Sequence, residues 1–397
     1  MGLVAPEVRR PMRANRERRA TKAATEGKTS IEGEGREEDA PDAAEACSRE
    51  ALAKCTHPRV AGHTLCIMTP TPPSGDAATS ANSEAVYLLA YFRQIYGERV
   101  EVSATGTTHV VSLTDQAMAI ERLHLAWSRD GRHWTALNDN QPVLPSVWVR
   151  DPFVQRSPDG WFHLVGTGGG SRRGCVYTRS RDLMSWEPLR SLPLMESVAE
   201  CNNVWAPEWF YDASRGDYLL HWSSSFADEG WKESRLWCCR TRDFQTFSAP
   251  QVLFAPPYSV IDGVLLQHES TAYLFHKEEE FGALKGERRA IRLATSDNLE
   301  GPYTLHDGPL NRSAHGGQIV PLITEGPAIM PDPQAAYGEG WLLLYDFCMG
   351  NDYGVSRSTN LYDWSVEPDV AFPPNARHGS VFTVTGEEFA RLQGMGW

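Results

Sequence analysis

Ser128-Arg-Asp-Gly-Arg-His-Trp134, Ser180-Arg-Asp-Leu-Met-Ser-Trp186, Thr241-Arg-Asp-Phe-Gln-Thr-Phe247, Ser296-Asp-Asn-Leu-Glu-Gly-Pro-Tyr303 and Ser358-Thr-Asn-Leu-Tyr-Asp-Trp364 spell one phrase five times. Their starts lie 52, 61, 55 and 62 residues apart, and each follows a short strand-like run such as Leu123-His-Leu-Ala-Trp127 or Ala290-Ile-Arg-Leu-Ala294. A repeat of this size, built from strands, a polar turn and a following aromatic, is the pattern of propeller blades. The period exceeds the roughly 40–45 residues of a WD40 blade, whose signature is absent. The reading is an all-β chain forming a five-bladed β-propeller.

Working outward from the turns, each blade needs an inner strand beside the central axis. Blades two to five find theirs at Asp151-Pro-Phe-Val154, Trp205-Ala-Pro-Glu208 and onward, Val260-Ile-Asp-Gly263 and onward, and Glu325-Gly-Pro327 and onward. The first repeat has Ala85–Tyr91 and Leu123–Trp127 but no inner strand ahead of them. An unassigned strand, His378-Gly-Ser-Val-Phe-Thr-Val384, remains at the C-terminal end. Placed inside blade one, it closes the ring and removes the exposed sheet edges.

Composition sets the boundaries. All 40 aromatic residues (13 Trp, 13 Tyr, 14 Phe) lie at or beyond Tyr87. The stretch before it, rich in Ala, Glu, Arg, Ser, Thr and Pro, cannot bury a core. Residues 1–82 are therefore read as a disordered low-complexity tail and 83–397 as the propeller domain. The net charge of −13 speaks against nucleic acid as a partner. No run reaches the ~18 apolar residues of a membrane span, and no apolar run of ~7–15 residues follows Met1 as in a secretory leader. The eight cysteines contain no C-x-x-C pair, so neither a disulfide framework nor a zinc site is expected. The compartment stays open between a cytoplasmic default and secretion, and oligomeric state is not encoded legibly.

The closed ring has a chemical consequence. Inner strands that begin at Asp151, Trp205–Glu208, Asp262, Glu325 and His378 bring carboxylates and a histidine to one end of the channel. Grouping acids costs repulsion and desolvation. Two carboxyls across a cleft can hydrolyse a glycosidic bond, one donating a proton to the leaving oxygen and the other activating water. A third carboxyl beside the acid couples to its titration. Trp148, Trp205, Trp209 and Trp222 are candidate platforms for a sugar ring, Trp205 foremost, against the plainer reading of blade packing.

Val149-Arg-Asp-Pro-Phe153, Trp205-Ala-Pro-Glu208, Ser259-Val-Ile-Asp262, Glu325-Gly-Pro327 and Arg377-His-Gly-Ser380 resemble, in order, the motifs of glycoside hydrolase family 43. The resemblance covers about residues 85–395. It implies an inverting glycosidase of the α-L-arabinofuranosidase or β-xylosidase kind acting on an oligo- or polysaccharide. Carried over, Asp151 is the general base, Glu325 the general acid and Asp262 the residue that tunes the acid. Trp205, Glu208, Arg377 and His378 fall to substrate binding. His378 matches a histidine beneath the site where some members hold Ca²⁺ through water, although no cofactor is required. The insertion at about 94–120 departs from the family pattern and leaves the sugar open.

Three alternatives share this architecture. An invertase-like fructosidase would use Arg150–Pro152 and Glu200-Cys201, but its Asn-Asp-Pro-Asn-Gly nucleophile motif is missing, with only Asn138-Asp139-Asn140 nearby. A non-catalytic carbohydrate-binding propeller is the second. A glycoside phosphorylase would need a phosphate cradle at Gly166-Thr-Gly-Gly-Gly170 with Arg172 and Arg173, yet that cluster lies between strands and reads as a hairpin turn. The charged stretch 276–289 reads as a solvated hairpin, and Asn311 opens an N-glycosylation sequon.

Overall fold

The computed structural model describes residues 85–394 apart from 96–97, 103–107, 113–119, 227–232, 285, 307–322, 336–337 and 349, with the backbone alone at 98–102 and 108–112. The tail expected over 1–82, its three cysteines and the sequon at Asn311 lie outside the described residues.

Five four-stranded antiparallel sheets form the blades. The inner strands are Val149–Arg156, Trp205–Asp212, Val260–His268 and Thr324–Pro331 in blades two to five, and Ala376–Val384 in blade one. The last of these pairs antiparallel with Val86–Arg93, so the end of the chain completes the blade that its first described strand begins. This is the closure the sequence predicts. The pairing of Val86 with Val384 and of Arg93 with Ala376 ties the two ends along the whole strand.

Each recurring phrase forms the turn after a third strand. In blade two the Ser180 hydroxyl accepts the Leu183 N–H at 2.8 Å, and Asp182 accepts the Ser185 N–H at 2.7 Å. Thr241 with Asp243 and Ser358 with Asn360 do the same in blades three and five. Short polar side chains thus satisfy backbone donors that the tight turn leaves unpaired. After the turn comes a strand the sequence reading did not lay out, as short as Thr304–Leu305 or Ser365–Val366. Two residues carry too little alternation to be recognised as a strand.

The aromatic that ends each phrase packs between blades. Among the described residues five apolar clusters alternate with the five blades. Trp186 joins the one between blades one and two, Phe247 that between two and three, and Tyr303 that between three and four. Trp364 sits between four and five and Trp134 between five and one. Cys238 and Cys239 face opposite neighbours, as adjacent strand residues must. Among the described residues all five cysteines are free and buried. A helix, Gly386–Gln393, follows the closing strand; Thr385 and Glu388 form its capping box, and Phe389 packs on Trp127.

One further element recurs. Every inner strand carries a bulge in which two residues oppose one on its neighbour: 151–152, 206–207, 262–263, 326–327 and 378–379. The second bulge residue is always proline or glycine. The first has positive φ at Asp151 (49°), Ala206 (43°), Asp262 (52°) and Gly326 (56°). A bulge re-aims side chains, and here it does so five times around one axis. The stretch 276–289 departs from the solvated reading only at its start: Lys277 and Glu278 end the strand Thr271–Glu278 and are 2% and 0% exposed, whereas residues 281–284 are exposed.

Candidate active site

The bulges bring the predicted residues of four blades together. His378 Nδ1 lies 3.4 Å from Asp151 Oδ1 and 3.9 Å from Asp262 Oδ2. The Gly326 N–H donates to Asp262 Oδ2 at 3.2 Å. Gly326 is required at its place, since a Cβ there would stand 2.7 Å from the His378 ring and 2.9 Å from its Cα. On the other side of Asp151, Thr167 donates its hydroxyl to Oδ2 at 2.6 Å while accepting the Ala206 N–H at 2.8 Å. Asp151 is therefore fixed by blade two, blade three through Thr167, and blade one through His378.

Glu325 has a different environment. Lys277 Nζ donates to Oε2 at 2.7 Å, the Cys348 thiol reaches the same oxygen at 3.2 Å, and Arg377 grips Oε1. Burial alone raises a carboxyl's pKa, but these two cations with the Lys277 and Cys348 hydrogen bonds hold Glu325 far below the usual range. It is a carboxylate held between two cations. Lys277 also meets Glu279 at 2.6 Å.

Asp262 and Glu208 go the other way. Burial pushes Asp262 up, the charges of Glu325 and Asp151 add to that, and His378 and Lys277 hold it back. Burial likewise holds the Glu208 carboxyl protonated well above its ordinary value, and the Asp262 charge adds to the effect. Its neighbour His221, 3.9 Å away, is kept neutral by burial. Asp262 and Glu325 at the mouth, and Glu208 on the far side of its bulge, thus have separated proton affinities, the pattern that divides acid from base work in hydrolytic sites.

The residues proposed for substrate binding divide. Arg377 is buried, and its guanidinium serves Glu325, Asp346 and the carbonyls of Phe347 and Gly350. Trp209 and Trp222 are buried packing, Trp205 is half-buried, and Trp148 is the exposed member of the four. Beyond the bulges, on the side away from the mouth, lies a cavity of about 570 Å³ lined by Phe153, Val264, Leu266, Met330 and Val381, which Glu208 borders. Of the fructosidase pair, Glu200 is exposed and Cys201 donates to the Asn203 carbonyl.

No group of three or more His, Cys, Asp or Glu among the described residues is arranged to hold a metal ion. Nδ1 of His378 faces Asp151 and Asp262 instead. The side chains present do not fit a directly ligated Ca²⁺, which is a different arrangement from the water-held Ca²⁺ expected near His378.

Sequence reasoning missed Lys277, Asp346, Thr167 and Ser223. They share a position: each is the cross-strand partner of the residue just before a bulge, Lys277 of Ile261, Asp346 of Glu325, Thr167 of Arg150 and Ser223 of Trp205. The available signal was a polar residue near the end of an otherwise apolar second strand. Ser223 accepts the Asp262 N–H at 3.1 Å, and Asp346 accepts the His378 N–H at 2.6 Å. This second ring of polar residues holds the bulges in place.

A family model described as a probable glycosyl hydrolase domain, related to family 43, matches residues 108–390. An α-L-arabinofuranosidase of Bifidobacterium longum subsp. longum is 27% identical over 180 residues, covering 37% of this chain and 17% of that protein. The chain thus spans less than a fifth of the length of that curated relative. Among solved structures, an endo-1,4-β-xylanase of Bacteroides thetaiotaomicron is 14% identical with a TM-score of 0.47, covering 72% of this chain and 98% of its own. An α-L-arabinofuranosidase of Lactobacillus brevis is 16% identical with a TM-score of 0.40, covering 57% and 73%.

Proposed function

The chain belongs to the glycosyl hydrolases related to family 43, and on that premise we propose that its channel mouth hydrolyses O-glycosidic bonds of pentose- or furanose-containing glycans. Asp151 is the general base: its Oδ2 accepts the Thr167 hydroxyl, and Oδ1, which lies 3.4 Å from His378 Nδ1, draws a proton from an attacking water. Glu325 is the general acid that protonates the leaving oxygen. The observation that carries the reading is the convergence of Asp151, Asp262 and His378 from three blades, with Glu325 one residue before the bulge that touches both Asp262 and His378. The similarity to the Bifidobacterium arabinofuranosidase supports an α-L-arabinofuranoside as the first sugar to try.

The cations around Glu325 set a condition on this chemistry. An acid whose proton affinity is lowered is protonated in a minor fraction of molecules near neutral pH, so turnover rises as the pH falls toward the acid range. The opposed shifts of Asp262 and Glu325 favour a second assignment within the same site. In it Asp262, the more readily protonated of the two, delivers the proton, and Glu325 stays ionised.

A leaving-group series separates the assignments. Purified protein is assayed on aryl α-L-arabinofuranosides, β-D-xylosides, β-D-galactofuranosides and β-D-fructofuranosides whose phenols span a wide pKa range. Removing the general acid suppresses poor leaving groups and spares activated ones. The first assignment predicts that pattern for Glu325→Gln, the second for Asp262→Asn, and Asp151→Asn loses about 10²–10⁴-fold on all. Absence of turnover on every sugar, with glycan binding retained, would favour a binding propeller instead.

A further inference from the structure

The glycine cluster Gly166–Gly170 and Trp148 are left unused by the chemistry above, and they are neighbours. Inner strands run away from the channel mouth and second strands return to it. The turn after Phe162–Gly168 therefore stands at the mouth, beside the entry of Val149–Arg156. Trp148, immediately before that entry, is 37% exposed, against 2% and 0% for Trp209 and Trp222.

Its orientation is enforced. The indole N–H donates at 2.7 Å to Oε2 of Glu121, a carboxylate only 4% exposed, whose Oε1 accepts the Gln94 amide at 2.9 Å. Burying a carboxylate is costly, and this one fixes an indole whose ring remains open to solvent. Gly168, at φ +142°, lies against it; a Cβ there would be 2.9 Å from the Trp148 carbonyl and 3.2 Å from ring carbon Cε3. Nothing stands within 4 Å of where a Cβ of Gly170 would project, and Arg172 at the end of the turn is exposed. The result is an indole held beside a glycine shelf that is open at Gly170, with the exposed Arg172 ending the turn. The ring is three residues from Asp151, about 10 Å along an extended strand, so it stands beside the carboxylates and not among them.

We propose that Trp148, the Gly168–Gly170 shelf and Arg172 form a subsite for a sugar unit adjoining the one that is cleaved. The unit stacks its C–H face on the indole and presents hydroxyl oxygens to Arg172. The occupant is a glycan because the shelf is continuous with the carboxylate mouth, and to that extent the inference rests on the function proposed above. The shelf makes the protein select for chain length: a single-sugar aryl glycoside does not reach it, and an oligosaccharide does.

The test compares Trp148→Ala and Trp148→Phe with the unmodified protein on an aryl glycoside and on arabinopentaose or xylopentaose, with Tyr362→Ala, an exposed aromatic in the turn after the third strand of blade five, as control. A stacking contact worth about one power of ten in binding predicts a specificity ratio, oligosaccharide over aryl glycoside, that falls about tenfold in Trp148→Ala. The fall comes through KM, Trp148→Phe recovers part of it, and Tyr362→Ala leaves the ratio alone. An unchanged ratio, or equal losses on both substrates, would overturn the subsite. Tryptophan fluorescence during pentasaccharide titration keeps the two readings apart. If no substrate is turned over but the pentasaccharide quenches fluorescence and Trp148→Ala abolishes the quench, the subsite stands and hydrolysis falls. No quench in the unmodified protein, or one that survives Trp148→Ala, would overturn the subsite.

Discussion

Lys277 sits 2% exposed against Glu325, and its position decides how the acid behaves. An opposite charge favours the ionised carboxyl, so removing it raises the Glu325 pKa. With Glu325 as the proposed general acid, the alkaline limb of kcat/KM follows loss of its proton in the free enzyme and then moves to higher pH. Lys277→Met is expected to move that limb up by about 1–3 pH units. Arg377 and the Cys348 thiol still hold the carboxyl down and limit the shift, whereas Asp346 and Asp262, as like charges, push it up. A limb that stays put or moves down would remove Lys277 from the control of the proton. At this scale the sequence was half legible. Asp151, Asp262, Glu325 and His378 stand where a carboxylate or histidine interrupts an apolar strand, and that interruption is visible in a linear reading. Lys277 was hidden by its neighbours: within Lys277-Glu-Glu-Glu280 it reads as part of a solvated charge run, and only the strand register shows that it ends a buried strand. Arg377 carried the opposite ambiguity, an arginine beside the site whose guanidinium turns back to hold Glu325, Asp346 and two carbonyls.

The element that makes the site is the two-residue bulge, repeated in every inner strand. Its sequence mark is a proline or glycine just after the residue turned toward the axis: Asp151-Pro, Ala206-Pro, Asp262-Gly, Gly326-Pro and His378-Gly. Positive φ at non-glycine residues costs on the order of 1–3 kcal/mol, and Asp151, Ala206 and Asp262 all carry it. Such strain persists where surrounding contacts fix it, as the Thr167 and Ser223 hydroxyls do here. Gly326→Ala adds both the strain and a collision with His378. It is expected to lower stability by about 1–3 kcal/mol and to reduce kcat by displacing His378, measured by thermal melting and by assay of the same preparation. Full activity with an unchanged Tm would show that the bulge tolerates a side chain and does not position the site. The bulges were not read from the sequence because a proline or glycine inside a strand also marks turns, edges and strand ends, whereas the turns were read because their Ser and Asp side chains are themselves the hydrogen-bonding partners.

At the scale of the whole propeller, ring closure rests on Ala376–Val384, which pairs with Val86–Arg93 and carries His378 into the mouth. Fold and site therefore share one strand. A chain ending before Ala376 exposes the edge of Val86–Arg93 and opens the cluster of Leu89, Tyr91, Trp134, Met330 and Leu342 between blades five and one. Its cooperative unfolding transition is expected to disappear from the calorimetric trace; a transition at the original Tm would mean that the ring does not depend on closure. This closure was legible because five turns demanded five inner strands and one strand was left over. The central claim, that the acids at the mouth hydrolyse glycosides by attack of water opposite the leaving group, is tested most directly by the anomeric configuration of the first sugar released. Following the early product by ¹H NMR, on the aryl glycoside that is turned over fastest, should show inversion, with no product from Asp151→Asn on the same time scale. A product of retained configuration, or one formed undiminished by Asp151→Asn, would contradict it.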